Sequence, residues 1–224
     1  MKYLAAAVLA GFFLLPARVA AETEPAAREL DTIDAATVVF EEMPGKLPAS
    51  VLENAKGIAV IPGELKAGFI FGGELGRGVL VSRLSDGTWS PPALISIAGA
   101  SFGLQIGGET RNLVLVFNTY RSMGFIENGT LNLGGDVSMA AGPVGTETGV
   151  QTGIPEVYAY VSGFGAFLGA VVQGSVVSFD FNANRRLYGI PDPLKKEVSD
   201  IPAQARRFSC TVARYTGAPT TACG

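Results

Sequence analysis

The chain has 224 residues, 48% of them hydrophobic and 17% charged, a formal net charge of −3, and no histidine. This balance describes a globular protein with bulk enough for a core and excludes a disordered chain. Without histidine there is no usual general base, no imidazole metal ligand, and no Ser-His-Asp or Cys-His mechanism.

Residues 1–21 read as a bacterial-type secretory signal peptide. Lys2 gives the positive start, Leu4 to Leu15 the apolar run, and Val19-Ala20-Ala21 a small-residue cleavage site. This places the protein in the periplasm or outside the cell, cut near Ala21. Residues 22–29 follow as a flexible lead-in. From Arg28 to Met43 the spacing of Leu30, Ile33, Thr37, Phe40 and Met43 predicts a helix, stopped by Pro44-Gly45. Glu29, Asp31, Asp34, Glu41 and Glu42 make its other face acidic. A second short helix is predicted from Pro48 to Lys56, with Gly57 as its stop, and Ile58 to Ile61 opens a β-rich region.

Lys66 to Glu109 is glycine-packed yet apolar. Its β-prone runs, Phe69 to Phe71, Val79 to Val81 and Leu94 to Ile97, alternate with glycine breaks, which predicts strands folding back on themselves. Asp86-Gly87 and Asn128-Gly129 are read as hairpin turns. Val157 to Phe179 carries no charge and is read as two buried strands in preference to a membrane helix. Residues 191–224 form a basic C-terminal segment. Its Cys210 and Cys223 are the only cysteines, and in an oxidising compartment they can close a small loop.

Several catalytic patterns fail on inspection. Gly99-Ala-Ser101-Phe-Gly103 matches a nucleophile elbow, but no histidine can serve it. Two cysteines cannot make a structural zinc site. The glycine runs do not fit a dinucleotide or phosphate loop. No cofactor, metal or nucleic-acid partner is expected. Lys56, Lys66, Arg77 and Arg83 stand near Phe69, Phe71 and Trp89 in sequence. Basic donors beside apolar side chains are what a lipid headgroup site requires. Scattered surface cations over core aromatics are the alternative.

The ordered motifs Ala55-Lys-Gly-Ile-Ala-Val-Ile-Pro62, Lys66-Ala-Gly-Phe69, Gly76-Arg-Gly-Val79, Asp86-Gly-Thr-Trp-Ser-Pro-Pro92, Ser101 to Gly108, Gly142-Pro-Val-Gly145, Gly165 to Ser175, Asn184 and Tyr188-Gly189 resemble the SYLF domain family over residues 30–190. The resemblance implies a lipid-binding domain without catalytic activity, whose ligands are acidic phospholipids; some members also bundle actin. The expected fold is α+β, with N-terminal helices packed on a Gly-rich, mainly antiparallel β-barrel or sandwich. The expected function is non-enzymatic binding of anionic phospholipid at an envelope membrane surface. Lys56, Lys66, Arg77 and Arg83 would hold phosphate and Trp89 would supply the apolar contact. The rivals are a periplasmic structural or protein-interaction domain without a lipid ligand, and a histidine-free hydrolase using carboxylates or Ser101.

Overall fold

The computed structural model describes residues 26–43, 47–63, 76–98, 112–141, 154–161, 174–195, 197–220 and 223. Short aliphatic runs become its strands: β1 (Gly57–Ile61), β2 (Gly76–Ser82), β3 (Ala93–Ala98), β4 (Leu113–Phe117), β5 (Thr130–Asn132), β6 (Met139–Ala141), β7 (Val157–Val161) and β8 (Val176–Phe179). They form one eight-stranded sheet in the order β5-β8-β3-β2-β1-β4-β7-β6. Neighbours are antiparallel except β6 and β7, which run parallel.

The central strands carry apolar residues on both faces because both faces are covered. With a side-chain period of two, Ile58, Val60, Val79, Val81, Val114 and Val116 enter one core, and Ala59, Ile61, Leu80, Leu113, Leu115 and Phe117 enter another.

The connectivity forces the sheet to curl. β5 and β6 are the two edges, yet only residues 133–138 join them. Laid flat, seven strand gaps would part the edges by about 34 Å. Seven extended Cα steps reach roughly 25 Å at most. The turn shortens that reach further, since Asp136 Oδ2 accepts from the Asn132 amide (2.8 Å) and Asn132 Nδ2 (2.9 Å). Leu133 then bridges Val137 beside the two edges. A curled, barrel-like sheet therefore stands where barrel and sandwich were both open, and the α+β expectation holds.

Helices cover the first core. α1 (Ala27–Glu41) crosses the sheet, α2 (Ala49–Asn54) follows Pro48, and α3 (Tyr120–Glu127) packs on the second core through Met123 and Ile126. α4 (Phe181–Tyr188) and α5 (Ala203–Thr216) complete the layer. Phe40 of α1 meets Phe208 and Tyr215 of α5 at ring distances of 6.3 and 6.0 Å.

Three expectations change. The lead-in to residue 29 is too long: α1 begins at Ala27, and Glu29 is buried against Arg186. The fold continues past residue 190, because Phe208 and Val212 are core and a disulfide joins Cys210 to Cys223. Asn128-Gly129 is not a hairpin turn. It ends α3, whose Thr119 accepts from the Ser122 amide at the start and whose Asn128 caps the close. An Asn-Gly pair stops a helix as readily as it turns a hairpin, since both need positive φ at glycine; Gly129 has φ 123°.

The Asp86-Gly87 turn does reverse the chain. Leu84 and Thr88 close it, Gly87 has φ 85°, and Arg83 bridges Trp89. The leader, Phe69 to Phe71 and Ser101 lie outside the described residues, as does 162–173 between β7 and β8. Among the described residues no helix is long and apolar enough to cross a membrane.

Candidate binding rim

Lys56 precedes β1 and Arg83 follows β2, so the antiparallel register brings them opposite each other at one end of the sheet. The Arg83 amide donates to the Lys56 carbonyl at 2.8 Å. By the same alternation both side chains belong to the helix-covered face.

Arg83 is held by the backbone. Its Nε donates to the Ala55 carbonyl at 2.8 Å and its Nη2 reaches the Leu52 carbonyl at 3.4 Å, so a cation satisfies the orphan C-terminal carbonyls of α2. Its guanidinium lies 4.7 Å from the Trp89 ring centre. Burial lowers the Arg83 pKa, and the Tyr120 phenol acts in the opposite sense; an arginine in such a place stays charged. Lys56 Nζ stands 5.7 Å over the ring of Tyr120. Among the described residues neither cation pairs with a carboxylate.

The rim continues onto β4 and β7. Asn118, just past β4, donates its amide to the Glu156 carbonyl (2.8 Å) and its Nδ2 to the Pro155 carbonyl (2.7 Å). This holds Ile154 to Glu156 beside Tyr120 and Arg121. Arg121 donates to Glu156 at 2.7 Å. Partial burial pushes the Glu156 carboxyl up, but hydrogen bonds from Arg121 and the Ser138 amide outweigh it, and its pKa falls below the usual value.

The other predicted residues separate. Trp89 is only 7% exposed, and its Nε1 donates to Thr216 Oγ1 of α5 at 2.8 Å. The indole fills the space between the hairpin and α5, so it is not the surface contact expected of it. Arg77 shares the helix-covered face with Arg83 but sits at the other end of β2, six residues or about 20 Å away. There it lines a cleft with Arg28, Glu29 and Asp180. In that region Arg186 donates to Glu29 Oε1 through Nε (2.9 Å) and Nη2 (2.6 Å). Lys66 lies outside the described residues.

Sequence reading missed Tyr120, Arg121 and Ile154. Nothing local marks them, since they reach the rim through β1–β4 and β4–β7 pairing. Two motif residues prove structural. Buried Asn184 pairs with the Leu94 backbone in both directions, accepting from its amide (2.7 Å) and donating to its carbonyl (3.1 Å). Tyr188 donates to the Pro92 carbonyl at 2.7 Å, and burial raises its pKa well above the ordinary phenol value.

Residues 98–215 match the family model Ysc84, described as a Las17-binding protein actin regulator. LAS seventeen-binding protein 3 of Saccharomyces cerevisiae is 40% identical over 181 residues, covering 78% of this chain and 39% of the yeast protein. Protein YSC84 of the same yeast is also 40% identical over 181 residues, 78% of this chain and 38% of its own length. Human SH3 domain-containing YSC84-like protein 1 is 34% identical over 179 residues, 78% of this chain and 52% of the human protein. The chain thus spans about two-fifths of these yeast relatives and about half of the human one. These are eukaryotic proteins named for Las17 binding, for YSC84 or for an SH3 domain. They overturn the bacterial periplasmic or secreted placement read from the leader. With identity and coverage at this level, the chain belongs to the Ysc84, or SYLF, family.

Proposed function

We propose that the chain is a non-enzymatic binding domain whose ligand is the anionic surface of a phospholipid membrane, met at the rim of Lys56 and Arg83. The observation that carries this reading is the pair itself. Two cations lie side by side at a sheet end, held over aromatic rings and by backbone carbonyls, and among the described residues no carboxylate pairs with either. Such cations retain their attraction for phosphate oxygens. A basic side chain near an anionic bilayer contributes about 1 kcal/mol, so the two together are worth roughly 30-fold in affinity. The attraction falls as salt shortens the Debye length.

Vesicle co-sedimentation tests this. The protein should pellet with phosphatidylcholine vesicles carrying phosphatidylserine, remain in solution with phosphatidylcholine alone, and be released by raised salt. No pelleting with anionic vesicles at low salt would remove the proposal.

A second reading is favoured by the name of one yeast relative and by the description of the family, both of which refer to Las17. On that reading the domain binds a protein and needs no lipid. Stable capture of a defined partner by the purified domain in lipid-free buffer, with no sedimentation on anionic vesicles, would select it.

A further inference from the structure

Five large apolar side chains stand exposed among the described residues: Val38, Leu84, Tyr120, Ile154 and Phe181. Three of them, Leu84, Tyr120 and Ile154, lie on the rim already described. They follow the order of the strands across it: Leu84 after β2, Tyr120 after β4, Ile154 before β7, with Lys56 before β1 between the first two. Ile154 is the most exposed of all at 82%, and Tyr120 follows at 56%.

We infer that the domain meets the bilayer end-on through this rim, with Ile154 and Tyr120 entering the interface and Lys56 and Arg121 beside them at the phosphates. The inference rests on the membrane reading above and specifies which atoms make the contact. The chemistry divides by depth. An aliphatic side chain gains by leaving water for the acyl boundary, a tyrosine ring settles at headgroup level, and long cationic side chains keep their charge among the phosphates.

The rim supplies each class within one patch. Lys56 Nζ lies over the Tyr120 ring, and Arg121 lies 5.4 Å from the Phe125 ring centre. Among the described residues the acid paired within this group is Glu156, and its partner is Arg121. The strand ends hold the patch rigid, because Asn118 ties the Ile154–Glu156 segment to the end of β4 with two hydrogen bonds. Charge complementarity selects an anionic bilayer as the occupant, since exposed apolar groups ringed by cations match an interface that is apolar beneath and negative above.

The test uses the chain's own cysteine economy. Cys210 and Cys223 are bridged, so Ile154→Cys introduces the single free thiol, which takes an environment-sensitive fluorophore without reductant. Adding vesicles of phosphatidylcholine with phosphatidylserine should shift its emission to the blue, whereas the same label at Val38→Cys on α1 should not respond. Ile154→Asp should weaken sedimentation about tenfold, since full burial of one aliphatic side chain is worth at least that. Its melting temperature should stay unchanged, because the native side chain is mostly in water.

If the native protein sediments with anionic vesicles but the label at residue 154 stays silent and Ile154→Asp binds as before, the end-on contact is wrong and the membrane reading stands. A response at Val38 in place of 154 overturns it too, by naming a different face. If the native protein does not sediment at all, the membrane reading itself falls, and the end-on contact with it.

Discussion

Strand β2 carries an arginine near each end, and the two ends use cations in opposite ways. Beyond one end, Arg83 rests on Trp89 and on the α2 carbonyls, and among the described residues neither it nor Lys56 pairs with a carboxylate. At the other, Arg77 lines a cleft with Arg28, Glu29 and Asp180, near the Glu29–Arg186 pair. The acids there offset the cations, and the Glu29 carboxylate is only 2% exposed. The same residue type thus stands apart from any carboxylate partner among the described residues at one end and shares a cleft with two carboxylates at the other. What decides is whether a buried carboxylate sits within reach, since burying one without a partner is costly.

The largest test breaks both ends together. Gly78 lies between them, and a Cβ placed on it would come 2.3 Å from the Val60 carbonyl oxygen. That neighbour is backbone and cannot rotate away. Gly78→Ala should cost about 3 kcal/mol or prevent folding, read as lost yield or a collapsed denaturation midpoint. Next, Arg186→Ala should remove about 3 kcal/mol by taking the hydrogen-bonded guanidinium from the buried Glu29 carboxylate. Urea titration would show the loss, and anionic-vesicle binding of the folded fraction should not change. Equal loss of vesicle binding would mean that the two ends are not separate in function.

Lys56→Ala sharpens the contrast from the other side. Vesicle affinity should fall about fivefold, from the loss of about 1 kcal/mol of surface attraction, while stability moves by less than about 0.5 kcal/mol. The smallest effect belongs to Glu156. Its pKa is lowered in the fold, so its contribution to stability is present above the ordinary carboxylate value and lost as pH falls through the folded value. Glu156→Gln removes that contribution and frees Arg121, so it should tighten vesicle binding a fewfold and lower the melting temperature slightly at neutral pH. A weaker association than the native protein's would contradict the charge assignment at the rim.

Much of the sheet was legible because its strands are β-branched runs between glycine breaks: Ile58 to Ile61, Val79 to Val81 and Leu94 to Ile97 all fall inside observed strands. The α3 helix was not, because Gly124 and Phe125 resemble strand residues, whereas Met123 and Ile126 take helical spacing only against the core that receives them. Part of the candidate rim was legible. Lys56 and Arg83 carry their charge in plain view, and their meeting needs only the β1–β2 pairing. Trp89 was misassigned because an indole in a Gly-rich turn reads the same whether it faces water or α5. Tyr120 and Ile154 could not have been joined to Lys56 from the chain alone, since strand order around a curled sheet is a long-range property.

The contact between α1 and α5 also bears on how the protein is made. Glu41 and Thr211, hydrogen-bonded partners across those helices, are 170 residues apart in sequence. At the usual pace of translation, 5–20 residues per second, α1 waits roughly 10–30 s on the ribosome before its covering helix exists. Throughout that interval Ile33, Ala36 and Phe40 have no α5 to cover them. The nascent chain therefore presents the apolar face of α1 well before α5 exists to cover it.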